Sequence, residues 1–373
     1  MMTAKPTTAL VLEPFACLSH MALVEALQAL FTEWDWTVHT LPDRQWKWRS
    51  RLSGLQFSQM INNSATYDIL LIGSLTPLTE LLALSPKLQS AHKIVYFHEN
   101  QFHYPFRTEI TDSEKQIMYN SITTAHAADA VLFNSDFNRS TFLTGAERFL
   151  NQLPVTLDTQ RIIADLSNKS AVFPIPLTLE PDVSQPRNNP PVILWNHRWE
   201  HDKQPELFFE ALFQLADAGS TFRLIVAGEE FDRAPEIFQT AKSKLASHIT
   251  HFGFAESRDE YYSLLAQADL VVSTAAQEFY GLSVLEAVAH GAVPVVPDAL
   301  SYQELFPAEY RYPTATRQSL SKALEKRIRQ GCNNNLPERT EISALVKNNL
   351  LDSNAGQWRQ RFLEVGQVPA FGT

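Results

Sequence analysis

Cysteine is nearly missing from this chain: Cys17 and Cys332 are the only two among 373 residues, too few and too far apart for a disulfide framework or a cysteine-built zinc site. A reducing compartment fits, and a cytoplasmic location is expected. Long apolar runs are missing too. No segment nears the roughly 18 apolar residues that would mark a membrane span, and the apolar stretch near the start is cut short by Glu13 and Pro14, so it does not read as a secretory signal. Excess positive charge is also absent. Acidic residues number 41 against 31 basic, for a net charge of −10, which excludes a chain that grips nucleic acid with its whole surface; an anionic partner must meet a local patch. No basic amphipathic helix stands out, so no stable membrane association is expected.

What is present is a globular composition, 45% hydrophobic and 19% charged. The length exceeds the roughly 250–300 residues at which one hydrophobic core stops growing, so two domains are expected. Short runs rich in Val, Ile and Leu alternate with longer amphipathic stretches, the pattern of a parallel sheet covered by helices on both faces. In the first half they are Leu10–Phe15, Asp68–Ser74, Lys93–His98, Ala130–Ser135 and Ala171–Pro176; in the second, Val192–Asn196, Phe222–Gly228, Ile249–Phe254, Leu270–Thr274 and Val293–Pro297. Two sets of five predict an α/β chain with two doubly wound, Rossmann-like domains. The segment PIPLTLEPDVSQPRNNPP interrupts both periodicities and reads as the linker. The expected division is 1–185, 186–345, and a C-terminal helix and tail over 346–373 that is free to return to the N-terminal domain.

Ligands of open α/β sheets sit beyond the carboxyl ends of the strands, and there the chain is polar. In QEFYGLSVLEAVAHGAVPVVPD, a strand is followed by Glu278 in a loop, Gly281 at a tight turn, and a helix from Leu282 carrying Glu286. The backbone amides around Gly281, Leu282 and Ser283 would open that helix and favour a diphosphate, since unpaired donors and the helix dipole both attract an anion. Glu286, a turn further in, can accept from ribose hydroxyls. In LWNHRWEHDKQPELFFEAL, Arg198 follows a strand and Lys203 stands at a helix start, where two cations would neutralise a leaving diphosphate. A lone surface charge is the bland alternative for each residue; a cation opposing a helix dipole is better explained by a bound anion.

In the first half, YFHENQFHYPF places His98 at a strand end, able to donate to a sugar hydroxyl, with Asn100 and Gln101 beside it. The spacing of His98, Glu99 and His103 matches no standard zinc motif, and no metal site is expected. LPDRQWKWRSR interleaves Arg44, Lys47, Arg49 and Arg51 with Trp46 and Trp48, a mixture suited to pairing with phosphate and stacking on bases. Its bland alternative is a helix start that buries both tryptophans.

The Glu278-to-Glu286 spacing with Arg198 and Lys203 resembles the retaining GT-B glycosyltransferases of the glycogen synthase and mannosyltransferase type. That resemblance implies two Rossmann-like domains facing across a cleft, with closure around the donor. It further implies that Arg198 and Lys203 hold the diphosphate, Glu286 the ribose and Glu278 the transferred sugar, with Phe254 in the donor site and no divalent metal or cofactor. LPDRQWKWRSRLSGLQFSQ, YFHENQFHYP and VLFNSDFNRSTFL are similar to segments of the queuosine-tRNA mannosyltransferase family, which implies GDP-mannose as donor and queuosine-containing tRNA as acceptor. The family usually carries a Gly pair before Ser-His in its first loop, whereas this chain reads FACLSH from Phe15 to His20, which restricts how closely backbone approaches a ligand there. Without a glycosidase-like carboxylate pair, the reaction reads as front-face transfer with retention, a donor phosphate oxygen receiving the acceptor's proton. The rival readings are a glycosyltransferase acting on a lipid or polysaccharide precursor and a non-catalytic nucleotide-sugar or tRNA-binding protein; the joint presence of all four charged residues argues against the latter.

Overall fold

The computed structural model describes residues 6–62, 64–103, 111–229, 235–313 and 316–369. The chain divides into two compact units, Met1–Thr178 with Leu351–Thr373, and Leu179–Leu350. The break falls within the proline-rich segment, just after the buried residues Ile175 and Leu177. Apolar residues among the prolines keep the chain packed beyond the last strand of the first unit.

In the first unit six parallel strands run in the order β2-β1-β3-β4-β5-β6. They are β1 (Thr8–Glu13), β2 (Asp35–Thr40), β3 (Ile69–Gly73), β4 (His92–Phe97), β5 (Ala130–Phe133) and β6 (Ser170–Val172). The second unit holds β7 (Val192–Trp195), β8 (Arg223–Ala227), β9 (Ile249–Gly253), β10 (Leu270–Val272), β11 (Val293–Pro297) and β12 (Arg311–Tyr312) in the order β12-β11-β10-β7-β8-β9. Each sheet has one strand more than the apolar runs foretell. β2 is a partly exposed edge strand without a continuous apolar run, and β12 spans two residues, too short to leave a period.

Both orders reverse direction once, between β1 and β3 and between β7 and β10, and such a switch opens a crevice at the carboxyl ends of the two strands. Each pair is pinned at its opposite end by an aspartate. The Asp68 carboxylate accepts from the Thr8 backbone N–H at 2.8 Å and the Thr8 hydroxyl at 2.9 Å. Asp269, fully buried, accepts from the Val192 N–H at 2.9 Å and from Arg339 at 3.0 Å. A buried carboxylate needs such donors to offset its desolvation, so the strands flanking each crevice are locked in register.

Aromatic packing surrounds the sheets. In the second unit Trp195, Phe208, Phe209 and Phe238 are fully buried against one another. In the first, the helix Ala355–Val365 supplies Trp358 and Phe362, which meet Phe173 and Phe31. Burying each such side chain contributes about 1.5–3 kcal/mol. Arg359 adds an ion pair with Glu33 while its guanidinium lies over the Phe31 ring. No helix among the described residues is long and apolar enough to cross a membrane.

Candidate active site

At the crevice of the second unit, β7 runs into Asn196, His197 and Arg198. The close approach of His197 to the end of β8 requires glycine at 228, where a Cβ would lie 2.0 Å from the His197 carbonyl oxygen. A short turn, His201–Lys203, follows and ends on Gln204 in the left-handed region (φ 46°), after which Pro205 opens the next helix. Thr274 donates its hydroxyl to the Lys203 carbonyl at 2.7 Å, and the Ala276 N–H reaches the Asp202 carbonyl at 2.7 Å. These bonds stitch the turn to the loop after β10.

That stitching brings Lys203 and Glu278 together. Lys203 Nζ donates to Glu278 Oε2 at 3.3 Å and to the Gln277 carbonyl at 3.1 Å, with Asp202 Oδ2 at 3.3 Å. Both side chains are mostly buried, 12% and 18% exposed. Burial alone would raise the Glu278 carboxyl, but Lys203, His197 and the N–H groups of Gly281 and Tyr280 outweigh it and hold it below its ordinary value. Lys203 is raised, because Glu278 and Asp202 overcome its desolvation. His197 is pushed down to about 4, by burial first and Lys203 second. The pair is thus fixed as ammonium and carboxylate beside a neutral imidazole. Arg198 is half exposed, its guanidinium 3.2 Å from Glu200.

Gly281 caps the helix Leu282–Ala289 at φ 79°, and a Cβ there would sit 3.0 Å from the Tyr302 ring. No side chain caps this N-terminus and its first turn holds no acid, while Glu278 in the preceding loop takes the Gly281 N–H. Ser283 is fixed in that turn by Asn196, whose amide donates to the Ser283 carbonyl at 2.8 Å and to the Tyr261 hydroxyl at 3.0 Å. Tyr261 in turn donates to Glu286 Oε2 at 3.0 Å. Burial pushes the Glu286 carboxyl up to about 7, against the opposing pull of Tyr261 and Arg258. Asn196 was legible as a polar residue ending a strand, but Tyr261 escaped sequence reading: a tyrosine on a helix 25 positions before its partner leaves no spacing signal. Phe254 lies 56% exposed past the end of β9, two strands from the crevice.

In the first unit, His98 leaves β4 into the interior. Its carbonyl accepts from Asn134 at 2.7 Å, and Asn134 is tied to Asn138 at 2.9 Å. Asn100 is 2% exposed, and its amide is engaged with Asn138, Thr141 and the N–H groups of Phe102 and His103, so it organises its own loop. Gln101 is also buried, and its Oε1 has no hydrogen-bond partner among the described residues. Tyr104 to Phe106 lie outside the described residues. Glu13, at the end of β1, and His20, in the first turn of the helix Leu18–Leu30, stand against His98, a cluster that sequence spacing did not reveal. Its trace in the sequence is a carboxylate closing an apolar strand, masked by the apolar character that continues to Phe15. The loss of the glycine pair imposes no backbone strain, since Cys17 adopts φ −76° and ψ 163° and Leu18 points outward, 73% exposed.

The basic and aromatic run forms the start of the helix Trp46–Met60, which contains no acidic residue. Ser50, Ser53, Gly54 and Phe57 face inward. Trp48 does not: it is 56% exposed, with the Arg51 guanidinium 5.6 Å from its ring centre, contrary to the reading in which both tryptophans are buried. Trp46 is half-buried with Lys47 above it. Lys47 pairs with Glu114 at 2.9 Å, and Arg49 bonds Gln56 at 3.0 Å. Arg44 is exposed in the loop before the helix.

Known proteins extend these observations. Residues 8–177 match the family model described as the tRNA-queuosine alpha-mannosyltransferase N-terminal domain, and residues 178–345 match glycosyl transferases group 1. A tRNA-queuosine alpha-mannosyltransferase of Drosophila melanogaster is 36% identical over 343 residues, covering 89% of this chain and 88% of that protein. A GDP-mannose-dependent alpha-(1-6)-phosphatidylinositol dimannoside mannosyltransferase of Mycobacterium tuberculosis (strain ATCC 25177 / H37Ra) is 32% identical over 108 residues, 29% of this chain and 27% of that one. Among solved structures, sucrose-phosphate synthase from Thermosynechococcus elongatus superposes with a TM-score of 0.72 at 14% identity, covering 98% of this chain and all of the other, which places the fold in the GT-B type. With likeness running through both units, this chain is a glycosyltransferase and belongs to the tRNA-queuosine alpha-mannosyltransferase family.

Proposed function

We propose that this glycosyltransferase moves mannose from GDP-mannose to the queuosine base of a tRNA anticodon, in the cytoplasm, with retention at the anomeric carbon. The observation that carries the reading is the likeness to the Drosophila enzyme across 89% of the chain. The GDP-mannose dependence of the mycobacterial relative speaks for the donor; the likeness covers too little of the chain to speak for a lipid acceptor.

The residues support a division of labour. The open N-terminus of Leu282–Ala289 receives the diphosphate, with Arg198 and Lys203 as its cations. Lys203 is already raised by Glu278, so it stays charged as negative charge develops on the leaving group. Glu286 takes the ribose and Glu278 orients the sugar; His98 is read as serving a sugar hydroxyl. The two cations do the electrostatic work otherwise given to a divalent ion, so the reaction proceeds without one, and chelator leaves it unchanged. Exposed Trp48, stacked with Arg51 on an acid-free helix, offers a face for an unstacked base and its phosphates.

The test is direct: incubation with GDP-mannose and queuosine-containing tRNA, digestion to nucleosides and mass spectrometry are expected to show queuosine heavier by one hexose. Unmodified queuosine, while the same preparation glycosylates a lipid or polysaccharide acceptor, overturns the tRNA reading and leaves the glycosyltransferase class intact.

A further inference from the structure

Three side chains from separate elements meet at the carboxyl end of the first sheet: Glu13 closing β1, His20 on the helix Leu18–Leu30, and His98 just past β4. All are secluded, Glu13 at 3% exposure and the His20 and His98 side chains at 12% and 7%. Glu13 Oε1 accepts from the Phe15 N–H at 2.9 Å and lies 3.0 Å from His20 Nδ1. Glu13 Oε2 is 3.9 Å from His98 Nε2, too far for a hydrogen bond. The two imidazoles stack face to face, ring centres 3.8 Å apart and planes 10° from parallel.

The three groups have ligand atoms within 4.8 Å of one another, close enough to suggest a metal ion. The stacking argues against one. Imidazole lone pairs lie in the ring plane, and an ion about 2.0–2.1 Å from a nitrogen of each ring would sit far outside two nearly parallel planes. A proton fits instead. Two imidazolium rings in face contact would repel, and a single carboxylate can offset only one positive charge. Glu13 with two histidines therefore carries one proton. It resides on His20, which has the short contact with Glu13 and is raised further by Cys17, whereas among the described residues His98 has the longer approach to Glu13. Tyr96, whose ring also meets His98, gives its hydroxyl to the Phe173 carbonyl at 2.7 Å.

We propose that His20, held as an imidazolium by Glu13, is a positioning residue that keeps His98 neutral. The directions of titration agree: desolvation would lower His20, but Glu13 and Cys17 raise it well above the usual histidine range, while burial first and His20 second push His98 well below it. A neutral His98 offers a sugar hydroxyl one N–H and one lone pair; a charged one would offer donors alone. This consequence rests on the donor-side reading of His98; the coupling between the rings does not.

The experiment is histidine-selective nitrogen NMR on the full chain over about pH 5 to 8, where an unperturbed histidine titrates, with His98 assigned from the signals lost in His98→Gln. In the wild type His98 is expected to stay neutral throughout, with His20 protonated at the acid end. His20→Asn keeps a donor at the Nδ1 position but cannot carry the charge, so His98 should begin to take up a proton within the range and the pH profile of transfer should gain an acid limb. Thermal melting establishes that the variant is folded, and His20→Gln serves if it is not. An unmoved His98 in a folded variant overturns the proposal. So does stoichiometric cobalt uptake by the wild type that His20→Asn abolishes, which would make the cluster a metal site. If His98→Gln transfers normally while the spectra shift as expected, the donor-side reading of His98 fails and the coupling stands.

Discussion

The second unit sets Lys203 against Glu278 at 3.3 Å, whereas the first sets His20 and His98 against Glu13. Both clusters lie beyond the carboxyl ends of parallel strands, yet they respond differently to pH. An ammonium facing a carboxylate stays charged across the physiological range; two imidazoles sharing a carboxylate hold a single proton whose location depends on small differences in contact. Permanent charge suits a site that meets a diphosphate, and a neutral ring suits one that meets sugar hydroxyls.

The largest effect should come from removing the permanent charge. Lys203→Ala is expected to lower transfer on the order of 10²–10³-fold, as loss of a group aimed at developing charge does, with a smaller change in melting temperature. Glu278→Gln should be strongly non-additive with it, since each loses a partner when the other goes. A Lys203→Ala enzyme with near wild-type turnover would reduce that pair to a structural contact.

Glu286 sharpens the comparison, because it is the titrating group of the second unit. Its carboxyl, raised to about 7, is protonated in the folded chain where the unfolded chain is already ionised. Stability should therefore fall as pH rises from the ordinary carboxylate range through about 7, then level off, and Glu286→Gln should flatten that limb, which denaturant melts at several pH values would reveal. In calorimetry Glu286→Ala should weaken donor binding by roughly 1–3 kcal/mol; unchanged affinity would remove the ribose assignment.

Trp48→Ala tests the first unit away from its histidines. Being exposed, the side chain should contribute within about 0.5 kcal/mol of stability, while loss of a stacking surface should weaken tRNA binding by about 1–3 kcal/mol. Replacing Arg44, Lys47, Arg49 and Arg51 with Ser should also flatten the salt dependence of transfer to tRNA. Equal binding by Trp48→Ala and wild type would sink the stacking part.

The smallest expected effect is Tyr261→Phe, which removes one hydrogen bond to Glu286 and should weaken donor binding by about 0.5–1.5 kcal/mol. A loss as large as that of Glu286→Ala would mean that Tyr261 meets the donor itself.

How legible each cluster was follows from how its residues are strung along the chain. Glu278, Gly281 and Glu286 lie on one strand-loop-helix segment, so strand and helix periodicity places them without any long-range contact. Gly281 could be read because only glycine takes φ 79° cheaply against the Tyr302 ring. Arg198 and Lys203 were legible as charges after a strand, but the turn that aims Lys203 depends on Thr274 and Ala276, more than 70 residues away. Trp48 read more readily as buried in sequence, since only helix packing through Ser53, Gly54 and Phe57 decides which side faces solvent.

By itself the sequence determined two parallel α/β units, the polar strand ends and the local strand-loop-helix acid pair, because apolar periodicity and glycine conformation act over a few residues. Tertiary structure alone decided that Asp68 and Asp269 clamp the strands at each crevice, that Asn196 and Tyr261 support Ser283 and Glu286, and that Glu13, His20 and His98 meet. Those contacts join separate strands and helices whose approach is fixed by parallel pairing and crossover packing, and neither leaves a spacing in the chain.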